Sequence, residues 1–213
     1  MKATAEEWDK VWSSGSLFNK FLNKARYYFS IKLFEKVFKE YVNKKSDLLE
    51  VGCGSSTTSL FLSPKICSFT GVDISEEALS LSRKNAKRLN VKNARFIKGD
   101  CFKLPFKDNQ FDIVWSQGLI EHFDNDQGIL KEKIRVCKKG GIIITSVPAY
   151  WSYHKVWYIL TRPKFLRRFW PWTDQTFYTK KRLNSLIKHE NVAILKIFNY
   201  FLFGVIIQVL KKR

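Results

Sequence analysis

The sequence predicts a doubly wound α/β fold, a mostly parallel sheet with helices on both faces. Three observations carry this expectation. From Asp47 onward, short apolar runs alternate with polar helical stretches, the pattern that parallel pairing through helical crossovers requires. The first apolar run ends in Gly52-Cys53-Gly54, a glycine turn at the carboxyl end of a strand. The chain has 213 residues, 45% of them hydrophobic, which suits one domain with a full core and is too short for two ordinary ones.

The elements follow in order. Residues 5–45 read as helical, because Leu17, Phe18, Phe21, Leu22, Ala25, Tyr28 and Phe29, then Val37, Phe38, Tyr41 and Val42, recur at three- and four-residue steps. Ser13-Ser-Gly-Ser16 divides that run. Asp47–Val51 is the first strand, with a helix near Thr57–Leu62 and a second strand at Ser68–Val72. Ser75 caps the next helix, with Glu76 and Glu77 in its first turn and Lys84, Lys87 and Arg88 toward its end, as the helix dipole favours. Ala94–Ile97 and Phe111–Trp115 are the third and fourth strands. A helix over Asp126–Val136 is expected to end at Lys138-Lys-Gly-Gly141, before a fifth strand at Ile142–Ser146. Residues 149–178 interrupt the alternation. A helix over Thr179–Lys188 and two closing strands, Ala193–Asn199 and Phe203–Lys211, bring the sheet to seven strands. The chain thus divides into an N-terminal helical cap (1–45), a core (46–148), a lid at the carboxyl edge of the sheet (149–178), and a closing helix and strands (179–213).

Composition limits the setting. Cys53, Cys67, Cys101 and Cys137 lie far apart with no Cys-x-x-Cys pair, so neither a zinc site nor a disulfide framework is expected, and a reduced, cytoplasmic compartment is the simpler inference. No His/Cys cluster and no His-x-x-x-His is present, and no metal is expected. The opening Met1-Lys-Ala-Thr-Ala-Glu-Glu-Trp8 has no apolar core, which argues against a secretory signal. Val192–Leu210 is apolar but broken by Lys196, Asn199, Gly204 and Gln208, a pattern unlike a membrane span. The net charge of +19 attracts polyanions or anionic membrane surfaces; the plainer alternative is a lysine-rich surface that serves solubility.

The glycine turn and what surrounds it carry the chemistry. A strand running into Gly-x-Gly brings bare backbone beside a ligand, where any side chain blocks the approach. Asp73 closes the second strand, where a carboxylate accepts hydrogen bonds from ribose hydroxyls. A nucleoside site at the carboxyl ends of the strands follows. A dinucleotide site shows a third glycine, but here the turn continues Ser55-Ser-Thr57. Glu50, beside the turn, repels a pyrophosphate and welcomes a cationic group.

Leu49-Glu50-Val-Gly-Cys-Gly54 resembles the first motif of class I S-adenosylmethionine-dependent methyltransferases. Gly71-Val-Asp73-Ile-Ser75 is similar to their second and Gly99-Asp100-Cys-Phe-Lys-Leu-Pro105-Phe to their third. Phe111-Asp-Ile-Val-Trp-Ser-Gln117, followed by Glu121-His122-Phe, resembles the fourth motif of the branch that includes ubiquinone and menaquinone biosynthesis methyltransferases. The resemblance covers residues 45–148 and implies S-adenosylmethionine as cofactor. It implies Glu50 at the methionine amino group, Gly52, Cys53 and Gly54 passing under the cofactor, and Asp73 on the ribose. Ile74 packs on adenine, Asp100 and Cys101 sit at the adenine amino group, and Gln117 lies near the methionine end.

His122 follows the fourth strand and is the candidate catalytic base for an acceptor that must lose a proton; Glu121 and His122 also read as residues that fasten the loop. Trp8 and Trp12 read equally as a cover over the cofactor and as core contacts. Residues 149–178 mix Trp151, Trp157, Phe165, Trp170 and other rings with Lys155, Arg162, Lys164, Arg167 and Arg168. That mixture suits a membrane interface and a small or lipid-like acceptor, and also RNA, through stacking and phosphate contacts. The expected activity is methyl transfer to a small or lipid-like acceptor. The alternatives are an RNA methyltransferase, with the basic surface on its substrate, and a non-catalytic S-adenosylmethionine-binding or scaffold protein.

Overall fold

A computed structural model describes residues 4–13, 31–161, 175–200 and 204–213, with only the backbone at His154 and Trp157. Residues 14–30 of the expected helical run, the basic and aromatic residues of 162–174, and Phe203 lie outside the described residues.

Seven strands form one sheet: β1 (Asp47–Val51), β2 (Ser68–Asp73), β3 (Ala94–Lys98), β4 (Phe111–Gln117), β5 (Cys137–Pro148), β6 (Val192–Tyr200) and β7 (Val205–Lys212), in the order β3-β2-β1-β4-β5-β7-β6. The first five pair in parallel, and β7 runs antiparallel between β5 and β6. The order reverses between β1 and β4, the switch point at which an open α/β sheet leaves a crevice.

The helices are α1 (Ala5–Ser13), α2 (residues 31–38), α3 (Thr57–Leu62), α4 (Glu76–Arg88), α5 (Asp126–Val136), α6 (Tyr153–Leu160) and α7 (Lys180–Ser185). Ser75 Oγ accepts the Ala78 N–H at the start of α4, as its sequence predicts, and Asn125 and Thr179 cap α5 and α7 in the same way. Neighbouring apolar residues on a strand face opposite sides, so the sheet has a core on each face. Leu48, Ile113, Trp115 and Ile144 pack with Phe34 and Phe38 of α2 and with Leu60 of α3. Leu49, Val114, Ile143 and Val147 pack with Ile129 and Leu130 of α5 and with Leu183 of α7.

The β5 boundary differs from expectation. Extended backbone begins at Cys137, directly after α5, so Lys138-Lys-Gly-Gly141 belongs to the strand and does not end a helix. Gly140, at φ 75°, and a register shift between Phe111 and Ile113 accommodate the bend there. Lys138 then reaches Asp112 at 2.8 Å, and Asp112 accepts the Asp47 N–H at 2.9 Å. Asp47 and Asp112 thus join the starts of β1, β4 and β5. The predicted helix over Thr179–Lys188 is shorter, with Thr179 as its cap, and α6 arises in the aromatic segment where no helix is expected from sequence.

Lys133 of α5 is fully buried. Its Nζ donates to Ser116 Oγ, the Ile144 carbonyl and Thr145 Oγ1 at 2.7–2.9 Å, pinning the helix to β4 and β5. Burial pulls its pKa down to about 7.

Candidate active site

A cavity of about 280 Å³ opens at the carboxyl ends of β1, β2, β4 and β5, with α1 along one side. Every residue implied for the cofactor lines it: Glu50, Gly52, Cys53, Gly54, Asp73, Ile74, Asp100, Cys101 and Gln117. His122 lines it as well.

The turn after β1 is held from two sides. The N–H groups of Gly52 and Cys53 donate to the Val72 carbonyl at 2.9 and 3.0 Å, and Ser82 of α4 donates to the Gly54 carbonyl at 2.6 Å. Gly52 and Gly54 have φ of 67° and 50°, where a side chain is strained. Space forbids one too: a Cβ on Gly52 would lie 2.6 Å from Leu119 Cδ1, and one on Gly54 would lie 2.5 Å from the Trp12 ring. The Cys53 thiol is buried against Gly71, and burial raises its pKa, so it is no ready nucleophile.

Three acids border this turn. Asp73 accepts from the Gly54 N–H at 2.8 Å and the Ser75 N–H at 3.0 Å, which orients its carboxylate at the end of β2. Each oxygen keeps a second lone pair for a ligand. Asp100 accepts the Phe102 N–H at 2.9 Å, within the loop after β3. Glu50 is 4% exposed, its Oε2 has no hydrogen-bond partner, and burial raises its pKa to about 8. A buried carboxyl with an unmet oxygen on a cavity wall suits a cationic ligand group. The residues present therefore fit S-adenosylmethionine, whose methionine end carries an ammonium. Gln117 is exposed at the end of β4 and accepts from Thr58 Oγ1 at 3.3 Å.

The lining also holds His122, Trp8 and Trp12, which the sequence singled out, and Glu121, which it read only as fastening a loop. Glu121 is 4% exposed, its Oε2 also has no hydrogen-bond partner, and burial raises its pKa to about 8. Its backbone carbonyl accepts the Thr176 N–H at 2.8 Å, while the carboxyl lines the cavity. His122 is buried, with the edge of its ring on Trp8 at 5.0 Å between centroids. Trp8 and Trp12 line the cavity, and Asp9 between them accepts from Ser75 Oγ and the Glu77 N–H. The tryptophans are thus cavity wall, and neither is buried in the core. Ser146, Pro148, Gln175 and Val205 complete the far side. No local motif marks them; they meet only because β5, β7 and the residues before α7 converge there.

A family model described as a methyltransferase domain matches residues 49–145. Residues 49–145 thus form a methyltransferase domain. The chain is similar to the demethylmenaquinone methyltransferase of Staphylococcus haemolyticus, 28% identical over 189 residues, which cover 78% of each protein. Among solved structures it shares its fold with PH0226 protein from Pyrococcus horikoshii (TM-score 0.71, 24% identity, 88% of this chain and 91% of that one). A SAM dependent methyltransferase from Aquifex aeolicus has a TM-score of 0.64, at 16% identity over 83% of this chain and 87% of that one. The methyltransferase domain contains every residue implied for the cofactor and His122. Outside it lie α1, the end of β5, Gln175 and the start of β7, which supply the remaining walls through Trp8, Trp12, Ser146, Val147, Pro148 and Val205.

Proposed function

We propose that the chain transfers the methyl group of S-adenosylmethionine, by in-line displacement, to a small or lipid-like acceptor reached at a membrane surface from the cytoplasm. The observation that carries this is one cavity lined both by Glu50, Asp73 and Asp100, the acids about the glycine turn, and by Glu121, His122 and Gln175. S-adenosylmethionine supplies a methyl already made electrophilic by its sulfonium. The protein's part is then orientation, which is worth about 7–11 kcal/mol when reacting groups are held in line.

In this reading Glu50 holds the ammonium of the methionine end, Gly52 to Gly54 admit the backbone beneath it, Asp73 holds the ribose hydroxyls and Ile74 packs on adenine. Asp100 and Cys101 face the adenine amino group, and Gln117 faces the methionine end. Glu121 and His122 stand on the acceptor side, where His122 is the proposed base for an acceptor that must lose a proton. Residues 149–178 form the acceptor-side cover, and 1–45 the cap. The relation to demethylmenaquinone methyltransferases makes a demethylmenaquinone-like quinol the first acceptor to try.

Labelled methyl transfer from S-adenosylmethionine to such a quinol tests the reaction. The net charge of +19 favours RNA as the rival acceptor, so bulk RNA is assayed beside it. Label in RNA and none in the quinol would reverse the assignment. Calorimetry tests Glu50. Its pKa of about 8, raised by burial, means that pairing with a cation at pH 7 requires loss of a proton. Binding should release that proton to buffer, and Glu50→Gln should abolish the release and weaken binding roughly ten- to hundredfold. No binding at millimolar S-adenosylmethionine leaves the scaffold reading.

A further inference from the structure

Helix α6 wears its apolar side outward. Val156 is 58% exposed, Ile159 53% and Leu160 57%, and Trp151 just before the helix is 75% exposed. At 3.6 residues per turn, Tyr153, Val156, Ile159 and Leu160 fall within roughly a third of the helix circumference. The other side meets the protein: Tyr158 packs its ring on Phe177 at 5.4 Å between centroids, and Thr161, just after the helix, is buried. Among the described residues ten large hydrophobic side chains are exposed, and six of them fall in residues 150–160. A soluble surface does not gather aliphatic side chains in this way unless something covers them.

Charge and position say what does. Lys155 lies over the Tyr150 ring at 3.1 Å, and the sequence continues into Arg162, Lys164, Arg167 and Arg168 with no acid between Ala149 and Thr173. Aliphatic residues flanked by an exposed tryptophan and a run of cations match the chemistry of an anionic bilayer, with rings at headgroup depth and cations on phosphates. Nucleic acid gains little from valine, isoleucine and leucine, because stacking and phosphate contacts are its means of attachment. The helix begins five residues after Pro148, which lines the cavity, so the face is tied to the acceptor side of the site.

We propose that the outward face of α6, with Trp151, Val156, Ile159 and Leu160, docks the protein on an anionic lipid bilayer beside the cavity. This rests on the membrane part of the reading above and identifies the surface that serves it.

Vesicle flotation tests the face with no acceptor present. The full chain is mixed with phosphatidylglycerol vesicles or with phosphatidylcholine vesicles, as wild type and as Val156→Ser/Ile159→Ser/Leu160→Ser. The wild type should float with the anionic vesicles, and the triple variant should partition at least about tenfold less. Circular dichroism and S-adenosylmethionine binding should be unchanged, because the three side chains face solvent. A wild type that stays behind overturns the proposal. So does a variant that floats equally well, which would leave charge alone as the attachment. It is also overturned if the substitutions abolish self-association, seen by sedimentation, or RNA retention while flotation is unaffected; the face then belongs to a second copy or to RNA. The acceptor reading fails separately. A protein that floats yet methylates no detergent-dispersed quinol keeps its docking face and loses that acceptor, and the reverse result loses only the face.

Discussion

Two carboxyls that line one cavity, Glu50 and Glu121, are buried with an oxygen unmet, a combination that costs stability wherever nothing is bound. Glu121 gives the cleaner measurement. Its folded-state pKa of about 8 lies above the ordinary carboxyl value. Between roughly pH 4.5 and 8 the unfolded chain sheds a proton that the folded chain keeps, so stability falls as pH rises through that window. Glu121→Gln removes this loss and leaves the contribution of Glu50 in place. Urea unfolding should show variant and wild type nearly equal at pH 5 and the variant more stable by roughly 1–3 kcal/mol at pH 8.5. Equal stabilities at both pH values would mean that Glu121 is solvated. Glu50 could be read from sequence because it abuts the glycine turn. The burial of Glu121 could not, because Thr176, which bonds its backbone, lies 55 residues further along the chain.

Helix α5 shows how an element can hide its most constrained residue in a plain pattern. Lys133 occupies an ordinary polar place in the sequence of Asp126–Val136, yet its ammonium is enclosed by three acceptors from β4 and β5. Those strands end at Gln117 and, through Ser146 and Pro148, on the cavity, so the anchor under α5 also holds two of its walls. Lys133→Met keeps the bulk and leaves the acceptors unmatched, which should cost roughly 1–3 kcal/mol near pH 10 by chemical denaturation and less toward pH 7, where the unfolded lysine takes a proton that the folded one binds weakly. A variant as stable as wild type at both pH values would show that water replaces the amino group. Caps and strand ends were the legible part of the elements: Ser75, the Gly52–Gly54 turn and β1 lie where local chemistry puts them. Helix α6 was not, since aromatic and basic residues at that density carry no clear helical period, and β5 begins earlier because its first residues bend around β4.

At the scale of the molecule, ligand and fold stabilise each other. A ligand present at a hundred times its dissociation constant adds about 2.7 kcal/mol to stability. For a chain of 213 residues this should raise the melting temperature by roughly 5–11 °C with S-adenosylmethionine. NAD should give no shift, because the turn lacks a third glycine and Glu50 opposes a pyrophosphate. A shift with NAD and none with S-adenosylmethionine would contradict the methyltransferase assignment. No helix among the described residues is long and apolar enough to cross a membrane.

The sequence by itself determined the parallel core, the glycine turn and the cofactor class, because these depend on local period, on backbone freedom at two glycines, and on acids fixed at strand ends. Only the tertiary structure decided that Trp8 and Trp12 wall the cavity, that Glu121 faces it with an oxygen unmet, and that α6 turns its apolar side outward. Each of these depends on which distant segments pack together, and no spacing along the chain encodes that packing.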